Sequence, residues 1–456
     1  MDDELPVPVD RLETIETFVD NWLADEGVPG ASVAVTDRSG NTWTSGIGSR
    51  DLETNAPATG ETVYGIGSIT KSFTALAILQ LVARDELDFD DSVTEYLDVT
   101  IPGSADRTIH DILTHQSGIP SLATSEALIA RQAGIGEAGV PLGDRTDLYR
   151  HLAGAESVVG PPGERFMYAN VGYILLADLV TAIDGRSLPA FLDDELFSPL
   201  GMRRATFSKN TFDGYVDRIT PYRLDENGQP EPTDLPVRDL SWGAGGLLTS
   251  VSELAPYLRL QLHRGRVGDR ELVPEALLDR AHAGHVETPV GPYGYGWRTR
   301  TVAGYDLIGH GGSIAVSTAY AGFFPDEGLG VAVAANTSPG YSLAHLGEAI
   351  GATSLGEDPE SVPYFSRQRR IDRVTGEYES YRGIRTATVE ELDGVLTITF
   401  EDPFGTHSLQ VTPEDPLLES MEFVRIGDRG ERRPVSFVID NGDVDLYIDR
   451  WRLTKT

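Results

Sequence analysis

The chain has 456 residues, 40% of them apolar, which is enough for one large hydrophobic core and a smaller second unit. Acidic residues outnumber basic ones by 71 to 37, and the net charge of −34 argues against nucleic-acid and anionic-membrane partners because like charges repel. The absence of cysteine excludes disulfides, thiolate metal sites and a cysteine nucleophile. No run approaches the ~18 apolar residues of a membrane span, and the acidic start, residues 1–6, does not resemble a signal peptide. We therefore expect a cytoplasmic protein.

Lysine is nearly excluded, since only Lys71, Lys209 and Lys455 occur. An acidic, lysine-poor surface resembles that of proteins from extreme halophiles. The screening length grows from about 3 Å at 1 M salt to about 30 Å at 0.01 M, so such a surface repels itself most strongly in dilute salt. The composition predicts loss of structure at low ionic strength.

The first hundred residues predict two helices around a hairpin. Apolar residues recur at helical spacing over 10–27, and two extended runs at 31–36 and 41–47 flank a short turn. The segment 68–83 is apolar on nearly every face, which is typical of a helix buried in a large core.

The next part, 108–285, has mostly helical periodicity broken by Gly and Pro, with one clear helix at 171–184. The periodicity then changes to two, and 316–324 and 329–335 are predicted as antiparallel strands, followed by a helix at 343–350. This order predicts an α+β domain, an antiparallel sheet flanked by helices and a helical subdomain.

The composition shifts near residue 356, and 356–370 is predicted to be a linker between domains at 1–360 and 361–456. Short alternating segments without helical periodicity follow, and Asn441-Gly442 is a strong hairpin signal. The tail is predicted to be a small β-sandwich or β-barrel, with strands at 384–389, 395–400, 408–412, 422–426, 435–439 and 444–448.

The first candidate for chemistry is Ser68-Ile69-Thr70-Lys71. Residues three apart share one helix face, so the Lys71 amine can reach the Ser68 hydroxyl. A serine hydroxyl becomes a good nucleophile when a base removes its proton, and lysine is such a base only if burial lowers its pKa from about 10.4 towards neutrality. The alternative is an N-capping serine with a lysine that extends to solvent.

Tyr168 and Asn170 precede the helix at 171–184 and form the second candidate. A phenol near Ser68 and Lys71 can relay a proton, and an amide can hold the substrate or the lysine. The alternative is a tyrosine at the edge of the core and an asparagine N-cap.

The third candidate is His310-Gly311-Gly312-Ser313, at the start of the C-terminal strands. A glycine pair lets substrate lie along a strand edge, and a following backbone N–H can help to form an oxyanion hole. His310 can supply a donor or a proton near neutral pH. A glycine-rich turn that enters a strand is the alternative.

S-x-x-K, Y-x-N and H-x-G in this order resemble the penicillin-recognising serine hydrolases, in particular class C β-lactamases, D-alanyl-D-alanine carboxypeptidases and D-aminopeptidases. The likeness extends over about 10–355 and includes the stretches 113–120, 162–166, 199–202 and 245–250. The resemblance implies an acyl-enzyme mechanism without cofactor or metal. By this resemblance, Ser68 is the acylated nucleophile, and Lys71 and Tyr168 act as general acid and base. Asn170, Gly311 and Gly312 contact the substrate, and His310 stands where class C β-lactamases carry a lysine. The backbone N–H groups of Ser68 and Ser313 form the oxyanion hole.

Histidine in place of lysine resembles the peptidase and esterase members, so the expected substrate is a small peptide, amide or ester, with weak β-lactamase activity at most. The tail, 361–456, is expected to cap the site or to mediate a homo-oligomer. The main alternative is a non-catalytic binding or assembly protein that retains the fold. His282 and His285, spaced like metal ligands, lack further ligands in the pattern and are interpreted as solvated surface.

Overall fold

The computed structural model describes residues 5–103, 107–119, 121, 142–155, 160–225, 227–340, 342–392, 395–402 and 405–456. Several predicted segments lie outside the described residues. These are the acidic start at 1–4, Pro120, and the stretch 122–141 of the region 108–285 that is predicted to be mostly helical. The chain divides into two compact units, Met1–Asp358 and Pro359–Thr456.

The helices, in chain order, are α1 Val9–Asp25, α2 Thr70–Ala83, α3 Ile109–Leu113, α4 Arg145–Ala153, α5 Asn170–Asp184, α6 Leu188–Leu192, α7 Ser198–Leu200, α8 Lys209–Asp213, α9 Trp242–Gly245, α10 Val251–Leu262, α11 Glu275–His282, α12 Ser342–Leu355 and α13 Pro363–Val374. The strands are β1 Gly30–Asp37, β2 Thr42–Asp51, β3 Ala56–Pro57, β4 Tyr64–Gly65, β5 Tyr222–Leu224, β6 Pro230–Pro232, β7 Leu248–Thr249, β8 Arg266–Val267, β9 Arg270–Glu271, β10 Arg298–Val302, β11 Tyr305–Ser313, β12 Thr318–Phe324, β13 Leu329–Ala335, β14 Gly376–Glu379, β15 Thr386–Leu392, β16 Val395–Asp402, β17 Gly405–Pro413, β18 Glu422–Ile426, β19 Arg432–Asp440, β20 Asp443–Ile448 and β21 Trp451–Lys455.

The first unit is built on a seven-stranded antiparallel sheet in the order β10-β11-β12-β13-β1-β2-β3. Neighbouring residues of β13 point to opposite faces of the sheet. A Cβ at Gly330 would lie 3.0 Å from Leu258 of α10, whereas Gly351 of α12 lies against Val331. Helices therefore cover both faces, which explains why every residue of β12 and β13 is buried.

Helix α2 lies inside the core of this unit. Every residue from Thr70 to Leu81 is buried, including the polar ones, and Phe73 stacks on Tyr257 with ring centroids 3.8 Å apart. The continuously apolar sequence thus forms the buried helix that it predicts. The start of this helix holds its first turn, with Ser68, at a fixed place beside the sheet.

The second unit is a closed barrel of eight antiparallel strands, β14 to β21 in order, in which pairing of Tyr378 with Lys455 joins the last strand to the first. Alternate residues such as Val444, Leu446 and Ile448 fill its interior. The structure confirms the predicted all-β tail, and of the two predicted architectures, a β-sandwich or a β-barrel, it shows the barrel.

The prediction that residues 356–370 form a linker is wrong. Helix α13, Pro363–Val374, occupies most of it, and buries Ile371 and Val374 in the apolar core of the barrel. Its first residue, Pro363, suits the first turn of a helix, where no backbone N–H is needed. Elsewhere the α+β architecture is confirmed. Across the described residues, no helix combines the length and the apolar character needed to cross a bilayer.

Candidate active site

Ser68 lies in a 3-10 turn, Gly67–Ile69, which leads directly into α2. Ser68 is only partly buried, so substrate can reach its hydroxyl. Gly67 has a left-handed backbone with φ of 52°, and a Cβ there would lie 2.4 Å from the backbone nitrogen of Ser313. Glycine is therefore required at this position, and the tight approach fixes Ser68 beside the end of β11.

Lys71 is fully buried one turn further along. Its Nζ lies 3.0 Å from Ser68 Oγ, 2.7 Å from Asn170 Oδ1 and 2.7 Å from the carbonyl oxygen of Ala244. The predicted pairing of Ser68 with Lys71 is thus present in the structure, and the alternative in which Lys71 extends to solvent is wrong.

The chemistry of these three partners differs. The oxygens of Asn170 and Ala244 can only accept hydrogen bonds, whereas the Ser68 hydroxyl can also donate. A neutral amine that donates its two hydrogens to Asn170 and Ala244 directs its lone pair at Ser68. The arrangement is therefore suited to removing the proton of Ser68.

Tyr168 and Asn170 join this group from the start of α5. Ala169, in an extended conformation, is the N-cap, so Asn170 is the first helical residue and is not the N-cap of the alternative interpretation. Lys71 Nζ lies 4.8 Å from the centroid of the half-buried Tyr168 ring. The Tyr168 ring also lies 6.5 Å from the ring of His310, so the structure brings all three sequence motifs together.

His310 is buried, and its protonation state follows from its contacts. Nδ1 lies 2.5 Å from the carbonyl oxygen of Gly311, which can only accept, so Nδ1 carries the hydrogen. Nε2 is then an acceptor, and it lies 3.3 Å from the hydroxyl of Tyr293. Burial lowers the pKa of His310 to about 3. The imidazole is therefore neutral at neutral pH, which favours a hydrogen-bonding role over a proton-supplying one among the two roles that the sequence predicts for His310.

The end of β11 packs against the turn that carries Ser68. A Cβ at Gly312 would lie 2.0 Å from the carbonyl oxygen of Ile66 and 2.6 Å from the backbone nitrogen of Ser68. The adjacent Gly311 has more room, because its Cβ would have no neighbour closer than 3.7 Å. Glycine at 312 therefore allows the close approach that brings the backbone amides of Ser68 and Ser313 into one region.

Several residues around this group were not predicted from the sequence. The carbonyl of Ala244 belongs to the short helix α9, and a backbone oxygen gives no sequence signal. Arg298 lies over the ring of Tyr293, 5.0 Å from its centroid, and over that of Phe166. His115 lies 4.2 Å from the Tyr168 ring.

The two histidines with ligand-like spacing have other contacts. His282 Nε2 lies 3.0 Å from Gln261 Oε1, and His285 Nε2 lies 2.7 Å from the carbonyl oxygen of Arg280. His282 packs against Trp297 and Phe323, so its interpretation as solvated surface is wrong. His285 is half-buried and stacks on Tyr295.

Comparison with known proteins gives two family matches. Residues 14–352 match the beta-lactamase family, and residues 359–454 match the Pab87 octamerisation domain. The chain is also similar to a solved structure, the octameric penicillin-binding protein homologue from Pyrococcus abyssi. That similarity has 32% identity and a TM-score of 0.90, and covers 97% of this chain and 100% of the other.

Two curated relatives are more distant. Protein flp of Staphylococcus aureus strain MW2 is 26% identical over 343 residues, which are 73% of this chain. Unguisins hydrolase ungD' of Aspergillus campestris is 26% identical over 364 residues, or 76% of this chain. Both matches span 64% of the relative's length. The family match over 14–352, on a fold that unites the three sequence motifs, shows that the chain belongs to the beta-lactamase family.

Proposed function

We propose that this protein is a serine hydrolase that cleaves an amide or ester bond through an acyl-enzyme on Ser68. The observation that carries the proposal is the set of contacts around Lys71 Nζ, where two carbonyl-type oxygens and the Ser68 hydroxyl surround a buried amine. The relatives include a named hydrolase, which supports the reaction class.

In the proposed acylation step, the Lys71 amine takes the proton of Ser68 while Oγ attacks the carbonyl carbon of the substrate. The carbonyl oxygen becomes an oxyanion, which the backbone N–H groups of Ser68 and Ser313 stabilise, each by about 3–4 kcal/mol. The tetrahedral intermediate then collapses, and the leaving group departs with a proton relayed from Lys71 through the Tyr168 hydroxyl. The products of this step are the acyl-enzyme and the free amine or alcohol.

The proposed deacylation step repeats this chemistry with water. Tyr168 and Lys71 accept a proton from the water molecule as it attacks the ester carbonyl, and the same two amides stabilise the second oxyanion. Ser68 leaves with the proton, and the carboxylic acid product is released. Asn170 holds the Lys71 amine in both steps through its side-chain oxygen, 2.7 Å away.

Labelling with a fluorophosphonate in molar salt tests the proposal. The mass of the intact protein is expected to rise by one phosphonyl group, and peptide mapping is expected to place it on Ser68. Ser68→Ala should abolish labelling and reduce turnover by orders of magnitude, since loss of the nucleophile costs about 10⁶-fold in a well-studied serine protease. Ser208→Ala, an exposed N-cap residue of α8, is the control and should be labelled like the wild type.

Absence of labelling in the folded wild type would contradict the proposal and favour a non-catalytic binding protein that retains the fold.

The substrate is proposed to be a small peptide, amide or ester. His310 is neutral and so offers no positive charge to the carboxylate that β-lactams carry. Turnover of D-aminoacyl amides and p-nitrophenyl esters is therefore expected to exceed turnover of a chromogenic cephalosporin. Faster hydrolysis of the cephalosporin would contradict this specificity.

We also propose that the C-terminal domain, 361–456, mediates a homo-oligomer. The match to the Pab87 octamerisation domain and the similarity to an octameric structure over nearly the whole chain support this. Light scattering in molar salt is expected to give about eight times the 49.4 kDa of one chain. A monomer at all micromolar concentrations would contradict it.

A further inference from the structure

His115 has an unusual backbone and a fully buried side chain. It follows α3, and its φ of 58° lies in the left-handed region, which residues other than glycine and asparagine rarely adopt. Only 1% of the residue is exposed. A histidine thus occupies a buried position where the backbone favours glycine.

Two backbone amides on either side of Tyr168 donate to His115. The N–H of Met167 donates to the His115 carbonyl oxygen at 2.7 Å, and the N–H of Ala169 donates to His115 Nδ1 at 3.2 Å. The imidazole also packs on the Tyr168 ring, with centroids 4.2 Å apart and planes inclined by 39°. One residue therefore holds Tyr168 at both flanking amides and on one ring face.

The contact with Ala169 requires a neutral imidazole, since Nδ1 must keep its lone pair to accept. The hydrogen is then on Nε2, which has no hydrogen-bond partner among the described residues and lies among the rings of Tyr168, Tyr173 and Tyr293. Burial holds the pKa of His115 well below its usual range. The acceptor is thus preserved across the neutral pH range.

We propose that His115 is a positioning residue for the reaction, and that its Nδ1 contact sets the orientation of the Tyr168 phenol towards Lys71 and Ser68. The inference rests on the proposed function, because Tyr168 has a proton to relay only if Ser68 is acylated. His115 itself exchanges no proton with the substrate.

Two substitutions at this position distinguish the role of the Nδ1 contact with Ala169 from the role of the left-handed backbone conformation. Glycine and asparagine both tolerate the left-handed conformation, and both keep the carbonyl oxygen that binds Met167. The side-chain oxygen of asparagine can replace Nδ1 as acceptor for Ala169, whereas glycine removes it. Displacing a catalytic group by about 1 Å costs about 10²-fold in rate, so His115→Gly is expected to lower kcat for a p-nitrophenyl ester by about that factor. KM should change less than about threefold, and His115→Asn should recover most of the loss.

A double-mutant cycle tests whether the effect passes through Tyr168. Once Tyr168→Phe has removed the hydroxyl, its orientation no longer matters, so His115→Gly should then lower kcat by less than about threefold. His282→Ala, at a half-buried imidazole that packs against Trp297 and Phe323, is the control for general destabilisation and should keep kcat at temperatures where it is fully folded.

Three results would overturn the inference: equal losses in His115→Gly and His115→Asn, a full multiplicative loss in the Tyr168→Phe background, or a kcat that follows only the folded fraction seen by circular dichroism. Fluorophosphonate labelling separates this from the proposed function. If the wild type is labelled on Ser68 and one of these results occurs, the inference alone fails. If the folded wild type is not labelled, the proposed function fails and the inference falls with it.

Discussion

Asn170 presents an uncharged oxygen to the Lys71 amine, 2.7 Å from Nζ. Asn170→Asp would place a carboxylate at nearly the same distance and so stabilise the protonated amine. We expect the acid limb of the pH profile of Ser68 acylation to move to higher pH, with a rate at pH 7 lower by about 10-fold or more, since each tenfold corresponds to about 1.4 kcal/mol. Stopped-flow acylation by a p-nitrophenyl ester measures both effects. An unchanged profile would contradict the role of Lys71 as the base.

Several imidazoles with lowered pKa values, His310 and His115 among them, make stability depend on pH. The pKa of His310 is lowered to about 3, and that of His115 also lies well below its usual range, whereas an unfolded histidine titrates near about 6.5. As pH falls below about 6.5, the unfolded state therefore takes up protons that the folded state does not. Each group then costs up to about 1.4 kcal/mol of unfolding free energy per pH unit, and for His310 this continues to about pH 3.

Replacing His310 by glutamine should reduce this slope between about pH 6.5 and about pH 4 by about 1.4 kcal/mol per pH unit. Urea denaturation at constant molar salt measures it. His263→Gln, at an exposed histidine, is the matched control. Equal slopes in wild type and His310→Gln would contradict the buried neutral state of His310.

The sequence was sufficient to select most of the side chains that meet at the site. Five predicted side chains lie together in the structure, namely those of Ser68, Lys71, Tyr168, Asn170 and His310. They could be predicted because the residue types and the order of the motifs can be read directly from the sequence. Their catalytic roles remain predictions. The neutral state of His310 was not predictable, since it depends on burial by segments distant in the chain, and the backbone carbonyls and amides around Lys71 and Tyr168 have no residue type to reveal them.

At the scale of secondary-structure elements, the contact between the end of β11 and the Ser68 turn determines whether the site forms. Gly312→Ala would place a methyl group 2.0 Å from the Ile66 carbonyl oxygen, and such overpacking costs about 1–3 kcal/mol. We expect a lower melting temperature and slower labelling of Ser68.

Gly311→Ala is the matched control for stability, because its nearest neighbour would be 3.7 Å away. Its melting temperature should stay close to that of the wild type. If both variants melt alike, the close packing of β11 against the turn is contradicted.

Secondary-structure elements were predictable where the apolar pattern extends over many residues, and they were missed where the pattern covers only a few. The buried helix α2 and strands β12 and β13 carry extended apolar runs and were predicted within two residues or so. Strands β14 and β21 were missed. Each has five residues or fewer, and they are stabilised by pairing with each other and with their neighbours, which closes the barrel. The sequence of helix α13 predicts a linker, because its Pro, Ser and charged residues conceal the two core positions, Ile371 and Val374.

At the scale of the whole molecule, the chain is strongly acidic, with a net charge of −34. Among the acidic residues that the structure describes, only Glu253 and Glu348 are buried. Because the screening length rises from about 3 Å at 1 M salt to about 30 Å at 0.01 M, repulsion across this surface should grow as salt is removed.

We expect a clearly lower melting temperature at 0.01 M than at 1 M NaCl, measured by circular dichroism. Sucrose at matched osmolarity, which does not screen charge, should restore less of the stability than salt does. A melting temperature independent of salt would refute the predicted adaptation to high salt.

The claim on which the whole account depends is that the Lys71 amine activates Ser68. The burst rate of acylation by a p-nitrophenyl ester, measured at neutral pH in molar salt for wild type and Lys71→Met, tests it most directly. Methionine has a similar length and no basic nitrogen, so acylation is expected to slow by about 10²–10⁴-fold, the usual contribution of a general base. A folded Lys71→Met protein that acylates at the wild-type rate would contradict the account.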